Sequence, residues 1–355
     1  MAASSELAEA KAVVTAHHQA IDAVLASPSR GGLVSALLTN TAPDYRWRGV
    51  DPFGELAGAE AVAAGFLGPL LDAFGPVQRR PDVFLAGSNE IDGHGSVWVC
   101  QMGHLLGLFD RPWLGIPPTG RMTFHRYAEF NRMVDGRIAE TALFCDVLSI
   151  MQQAGCDPLP PQTGAAFVHP GPRTNDGLLF DDQDPADGKL TLELVNRMID
   201  DLSDLNRIAA DTGVDDCPPE RLAETWHHDM IWYGPAGIGS SYTIDRYQAQ
   251  HQMPFRRGLT GKTFNGHVAR FAEGNYACFF GWPNLTNTPS GGFLGLPATG
   301  TAADMRVVDV YRRHGDKLAE NWVFIDLVHW LKMQGLDVLA RLSEVRPTPP
   351  PGVAW

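Results

Sequence analysis

Residues 114–120 read LGIPPTG, and residues 294–300, 180 positions on, read LGLPATG. Glycine and proline punctuate turns, so one such stretch marks a sharp connection and a near copy at long spacing marks a repeated unit. Carried forward without a gap, the offset pairs Arg126 with Arg306, Arg132 with Arg312, Glu140 with Glu320, Phe144 with Phe324, Asp146 with Asp326 and Gly155 with Gly335. Carried back, it holds to about Phe84 and Phe264. Further upstream the offset becomes 185, setting Asp44, Trp47 and Gly49 against Asp229, Trp232 and Gly234; the first copy has extra residues near DAFGPVQRR. A period this long is a duplicated domain rather than a solenoid.

Two domains are therefore expected, over 5–156 and 190–345. The stretch 157–189, rich in Pro, Gly and Asp, reads as a linker, and 346–355 as a proline-rich tail anchored by Trp355. Each copy opens with an amphipathic helix (SSELAEAKAVVTAHHQAIDAVLAS; TLELVNRMIDDLSDL), then a short one (LVSALLTN; PPERLAETWHH) and a third (AEAVAAGFLGPLLDAF; TIDRYQAQHQMPFRRG). Strand-like stretches follow, VWVCQMGHLLGLF, MTFHRYAEFNRM and RIAETALFCDVLSI in the first copy, rich in β-branched and aromatic residues. Helices first and hairpin-connected strands after them define an α+β fold, three helices packed on a curved antiparallel sheet, with LGxPxTG joining two long strands in each copy.

Bulk composition narrows the function classes. A hydrophobic share of 44% and a charged share of 19% are those of a globular chain. The net charge of −13, with no Lys/Arg-rich run, argues against nucleic acid or an anionic membrane as partner. No apolar stretch reaches the roughly 20 residues of a membrane helix, and MAASSELAEAKAVV lacks the layout of a secretory signal. Five cysteines without a CxxC pair point away from disulfides and structural zinc, and the expected location is cytoplasmic. Trp226-His227-His228-Asp229 invites a metal reading, but adjacent histidines on a helix cannot face one ion and no third ligand has the right spacing; no metal is expected.

The chain resembles the SnoaL-like polyketide cyclases of the NTF2-like superfamily. The resemblance rests on Trp232-Tyr233-Gly234-Pro235, Gly103-His104 with Gly107, LGIPPTG, the run Arg132 to Glu140, and the Asp six residues beyond it. It implies two cone-shaped domains, each with a pocket in which a carboxylate acts as general acid/base without metal or organic cofactor. The positions matching that carboxylate are Asp146 and Asp326. Relatives of one domain pair through the exposed sheet face, so the two copies are expected to form a pseudo-dimer within one chain, as a monomer or weak homodimer.

On a strand Glu320, Trp322, Phe324 and Asp326 share one face, as do Glu140, Ala142, Phe144 and Asp146. An Asp among aromatics is poorly solvated, which raises its pKa toward the range a general base needs. The alternative for each Asp is a structural one: capping a turn, or pairing with Arg126 or Arg306. The copies also differ. His104 in the first is replaced by Asn284, and His251 stands where the first copy has Phe66. The expected site is in copy two: Asp326 as base, His251 as oxygen-stabilising donor, and Trp232, Tyr233, Trp282, Trp322 and Asn284 as pocket wall. Asp146, His104 and Trp47 are the counterparts in copy one. The substrate expected is a small oxygenated or aromatic carbonyl compound with an acidic C–H, turned over by cyclase, isomerase or lyase chemistry. Two alternatives stand beside it: a non-catalytic binder of such a compound, and an epoxide or ester hydrolase using Arg306 with Asp304.

Overall fold

A computed structural model describes residues 4–27, 30–166, 169–212 and 217–345. The tail 346–355, with Trp355, lies outside the described residues. The chain divides into two compact units, one holding the segments up to Ser88, His94–Pro158 and those from Asp326 on, the other holding Asn89–Gly93 and Leu159–Ile325.

Unit 1 opens with α1 (Ser4–Leu25) and α2 (Leu33–Asn40), followed by β1 (Thr41–Gly49), β2 (Gly54–Ala57) and α3 (Ala59–Val62). A π-helical turn at Ala63–Leu67 leads into α4 (Gly68–Phe74). Then come β3 (Gln78–Ser88), β4 (Val97–Leu108), β5 (Met122–Val134), β6 (Arg137–Cys145) and α5 (Val147–Gln153). The strands form one sheet in the order β2-β1-β6-β5-β4-β3. The β3–β6 meander is antiparallel, whereas β1 joins β6 in parallel, so the sheet is mixed rather than wholly antiparallel. A parallel neighbour requires a long crossover, and here α3, α4 and the meander supply it.

Unit 2 repeats the plan with α6 (Pro185–Thr212), α7 (Pro219–Leu222), β7 (Trp226–Tyr233), β8 (Ser241–Tyr242), α8 (Ile244–Tyr247), a π-helical turn at Gln248–Gln252 and α9 (Met253–Gly258). Its strands are β9 (Leu259–Phe264), β10 (Ala269–Glu273), β11 (Tyr276–Pro289), β12 (Ala303–His314) and β13 (Lys317–Ile325). They are ordered β10-β11-β12-β13-β7-β8, with β9 also pairing β11 and β7 parallel to β13. α10 (Leu327–Met333) follows β13 as α5 follows β6. Each half is a cone: helices laid against the concave face of a curved sheet.

The repeated turn is the expected link between long strands, β4 to β5 and β11 to β12. Leu114 and Gly115, and again Leu294 and Gly295, have positive φ in succession, which explains the glycine at the second position. The repeated Trp-x-Gly has an equally local cause, because a Cβ at Gly49 or Gly234 would run into the ring of Trp47 or Trp232 two residues earlier.

Two local assignments differ from the sequence reading. The stretch CDVLSI does not extend β6, since Asp146 accepts a hydrogen bond from Ser149 N–H and starts α5. Trp226, His227 and His228 open strand β7 rather than close a helix, because α7 ends at Leu222. Within unit 2 the stretch after Leu159 runs against the sheet. Pro170 O accepts from Trp322 Nε1 (2.8 Å), Arg173 N–H donates to Glu320 (3.1 Å), and Tyr276 Oη donates to Asp176 (2.5 Å).

Candidate functional site

Alternation along β12 puts Val307, Asp309 and Tyr311 on one face. Directly opposite them on β11 stand Gly281, Phe279 and Ala277, and on β13 Ile325, Val323 and Asn321, with Trp232 of β7 abreast of Asn321. The helical turns above this face contribute Tyr247 and His251. The His251 ring stacks on Trp232 at 4.0 Å and 15°, with Tyr247 5.7 Å from Trp232 and 5.5 Å from His251. Asp309, Tyr247, His251 and Val307 all keep part of their surface accessible although they sit within the cone.

Asp309 is the acid of this cone. Its Oδ1 accepts from Tyr311 Oη (3.0 Å) and Asn321 Nδ2 (3.1 Å), while Oδ2 meets no protein donor among the described residues. Burial pushes its pKa up to about 6, against the opposing pull of those two hydrogen bonds. Near neutral pH such a carboxyl exchanges a proton readily, which is the requirement for acid/base work. Burial also pushes the phenols of Tyr247 and Tyr311 up, so both stay protonated donors. Burial lowers His251 to about 3, keeping the imidazole neutral.

The first cone shows what happens when the same position is neutralised. Glu129, 180 positions before Asp309, contacts His18 Nε2 (2.6 Å), accepts from Asn131 Nδ2 (2.7 Å) and lies 4.0 Å from Arg79. Burial alone would raise its pKa, but His18 and Arg79 together hold Glu129 below the usual carboxylate range. Tyr127 Oη donates to Gln101 (2.6 Å), and Arg79 pairs with Asp22 (3.0 Å). The cavity left among these side chains is about 30 Å³, room for no more than about one to three waters. In the second copy Val307 stands in the place of Tyr127, and Phe279, opposite Asp309, in that of Gln101, so apolar side chains replace two of the polar groups that surround Glu129.

The residues expected from the sequence separate into several places. His251 and Trp232 come together in the second cone. Tyr233 and Trp322 stack on each other at 5.3 Å, but on the opposite face of the sheet, beside Glu320. Trp282 lies under the guanidinium of Arg306 at 4.1 Å. Asn284 sits in a β-bulge where its carbonyl accepts from Asn265 N–H. Asp304 Oδ1 accepts from Thr286 Oγ1 at 2.7 Å. His104 faces away from the first cone, opposite Arg126, with Nδ1 3.2 Å from Asp82. Trp47 packs inside the first cone, 5.2 Å from Phe66.

Asp146 and Asp326 are buried helix N-caps. Asp146 accepts from Ser149 N–H (3.1 Å) and lies 3.9 Å from Arg126; Asp326 accepts from His329 N–H (3.2 Å) and Asp51 N–H (3.0 Å). The strand phase that leads to them runs on the face opposite Asn321 and Val323, so they do not join the constellation around Asp309. Asp146→Ala or Asp326→Ala is expected to lower the unfolding free energy by about 1 kcal/mol, the usual cost of a lost N-cap. Urea denaturation reads this, and unchanged stability with lost catalysis would restore either residue as a reactive group.

The second cone is thus a curved sheet closed by helices around a single raised acid. Residues 205–333, which include β12 and Asp309, match the model of the SnoaL-like polyketide cyclase family. Among solved structures the chain is similar to a SnoaL-like protein from Jannaschia sp. CCS1, at 21% identity over 41% of this chain and 94% of that one, with a TM-score of 0.32. It is similar also to TsrD from Streptomyces laurentii (21% identity, 44% of this chain and 99% of that one, TM-score 0.29). A third is an NTF2-like protein from Burkholderia xenovorans LB400 (13%, 41% and 97%, TM-score 0.30). None of the curated proteins compared with the chain matches it.

Proposed function

We propose that the cone of unit 2 is the active site of a general acid/base enzyme, cyclase- or isomerase-like, that removes a proton from carbon flanked by carbonyl groups. The observation that carries the reading is Asp309, a carboxyl raised to about 6 whose Oδ2 is left for a ligand. Asp309 Oδ2 takes the proton as the C–H electron pair moves onto the carbonyl oxygen. Tyr247 and neutral His251 donate to the enolate oxygen that forms, the role that fixed dipoles play in stabilising developing charge. Trp232, stacked behind the His251 ring, and Phe279 supply apolar wall around the acid. Unit 1, with its acid bound up and its cone filled, supports folding rather than turnover.

Proton exchange into deuterated water at the central carbon of ethyl benzoylacetate, followed by NMR between pH 4 and 8, tests this reading. The enzyme-dependent rate is expected to climb with pH up to about 6 and then level, because the base must be ionised. Binding of the ester without any enzyme-dependent exchange would favour a non-catalytic binder.

A further inference from the structure

Unit 2 departs from unit 1 at one place that the Asp309 reading does not explain. In unit 1, β3 runs along β4 from Gln78 to Ser88 as one strand, with a bulge between Pro81 and Val83. In unit 2 the equivalent strand is cut in two, β9 ending at Phe264 and β10 starting at Ala269, and the interruption carries His267. An interruption that breaks ladder hydrogen bonds is costly unless it re-aims a side chain.

The side chain it re-aims is placed against the site. The His267 ring stacks on Phe279 at 3.9 Å and 18°, and Phe279 is the residue directly opposite Asp309. Gly281, on the same face as Phe279, stands opposite Val307 as Gly103 stands opposite Tyr127, and a Cβ there would meet Asn284 and the carbonyl of Gly266. The loop thus passes close to β11 beside Phe279. His267 and His251 are alike. Each is half-buried, each stacks on an aromatic ring of the cone face, and each has a buried Nδ1 with no hydrogen-bond partner. A buried nitrogen without a partner is best left as a bare lone pair, which puts the ring proton on Nε2. Burial lowers His267, like His251, to about 3, so both rings are neutral across the working pH range.

Resting on the reading of Asp309 as the base, we propose that His267 is a specificity-determining donor, its Nε2–H holding a second ligand oxygen while His251 holds the first, so that the site selects ligands with two carbonyl oxygens flanking one carbon.

Two probes with the same carbon skeleton test this. 1-Phenylbutane-1,3-dione has both oxygens, and 1-phenylbutan-1-one lacks the second. Equilibrium dialysis at pH 7 is expected to show wild type preferring the diketone by about tenfold, the worth of one good hydrogen bond that is left unmade by the other probe. His267→Phe is expected to cut that preference to about twofold or less, through the diketone alone, and His267→Gln, which keeps an N–H, to restore much of it. The far-UV spectrum of each variant confirms that it is folded. An unchanged preference in His267→Phe, or a wild type that does not distinguish the probes, overturns the inference. Failure of the Asp309 reading looks different: the diketone preference stays sensitive to His267 while Asp309→Asn leaves proton exchange intact.

Discussion

Asp309→Asn is expected to abolish catalysed proton exchange, at least 100-fold, and to make the protein more stable at neutral pH. The first effect follows from removing the only carboxyl among the described residues lining the second cone's β12 face, since general-base contributions run to 10²–10⁴. The second follows from linkage. A carboxyl whose pKa is about 6 when folded and near 3.9 when unfolded binds its proton more tightly in the folded state. Its stabilising contribution is therefore complete below about pH 4 and is lost as pH rises through 6. Asparagine accepts the same bonds from Tyr311 and Asn321 without ever ionising. Wild type and variant should unfold alike near pH 4 and separate above pH 6, the variant ahead by roughly 2 kcal/mol. A variant less stable than wild type at pH 7 would mean that the carboxylate is held by partners rather than strained by burial.

Arg79→Ala has the opposite signature. Arg79 is buried in the first cone between Asp22 and Glu129, and its guanidinium lies 5.4 Å from the centre of the Tyr127 ring. Removing it leaves the buried Glu129 with His18 and Asn131 as its contacts and takes from Asp22 its guanidinium partner. Breaking a buried pair of this kind costs about 3–5 kcal/mol. Thermal or urea unfolding should register that loss, while exchange per folded molecule at pH 7 stays at the wild-type level because Asp309 is in the other cone. Lost exchange in a fully folded Arg79→Ala protein would assign chemistry to the first cone.

Much of the fold was legible because the chain states it twice. The LGxPxTG turns and the Trp-x-Gly pair are local solutions to local backbone problems, and each copy confirmed the other. The site was harder, for a reason visible on β13. Asn321 and Trp322 are both buried, so neither face of the strand is marked by exposure and the sequence carries no phase. The aromatic run Trp322, Phe324 drew attention to the face ending in Asp326. That face is instead covered by the segment containing Pro170 and Arg173, whose Pro and Gly content spoke of turns and gave no hint of its hydrogen bonds to Trp322 and Glu320. His251 and Trp232 were legible because the copies differ at His251. Glu129 and Asp309 differ by one methylene at the same place in the repeat, so they are not among the identities that mark it. The interruption carrying His267 corresponds to a bulge between Pro81 and Val83 in the first copy, which leaves no mark in residue identity.

The central claim is that the second cone holds a carboxyl kept partly protonated near neutral pH. Carbon NMR of the aspartate carboxyls, with the Asp309 resonance assigned by its absence in Asp309→Asn, measures this directly. The account predicts a titration midpoint of about 6; a midpoint at or below the ordinary aspartate value of about 3.9 would contradict it.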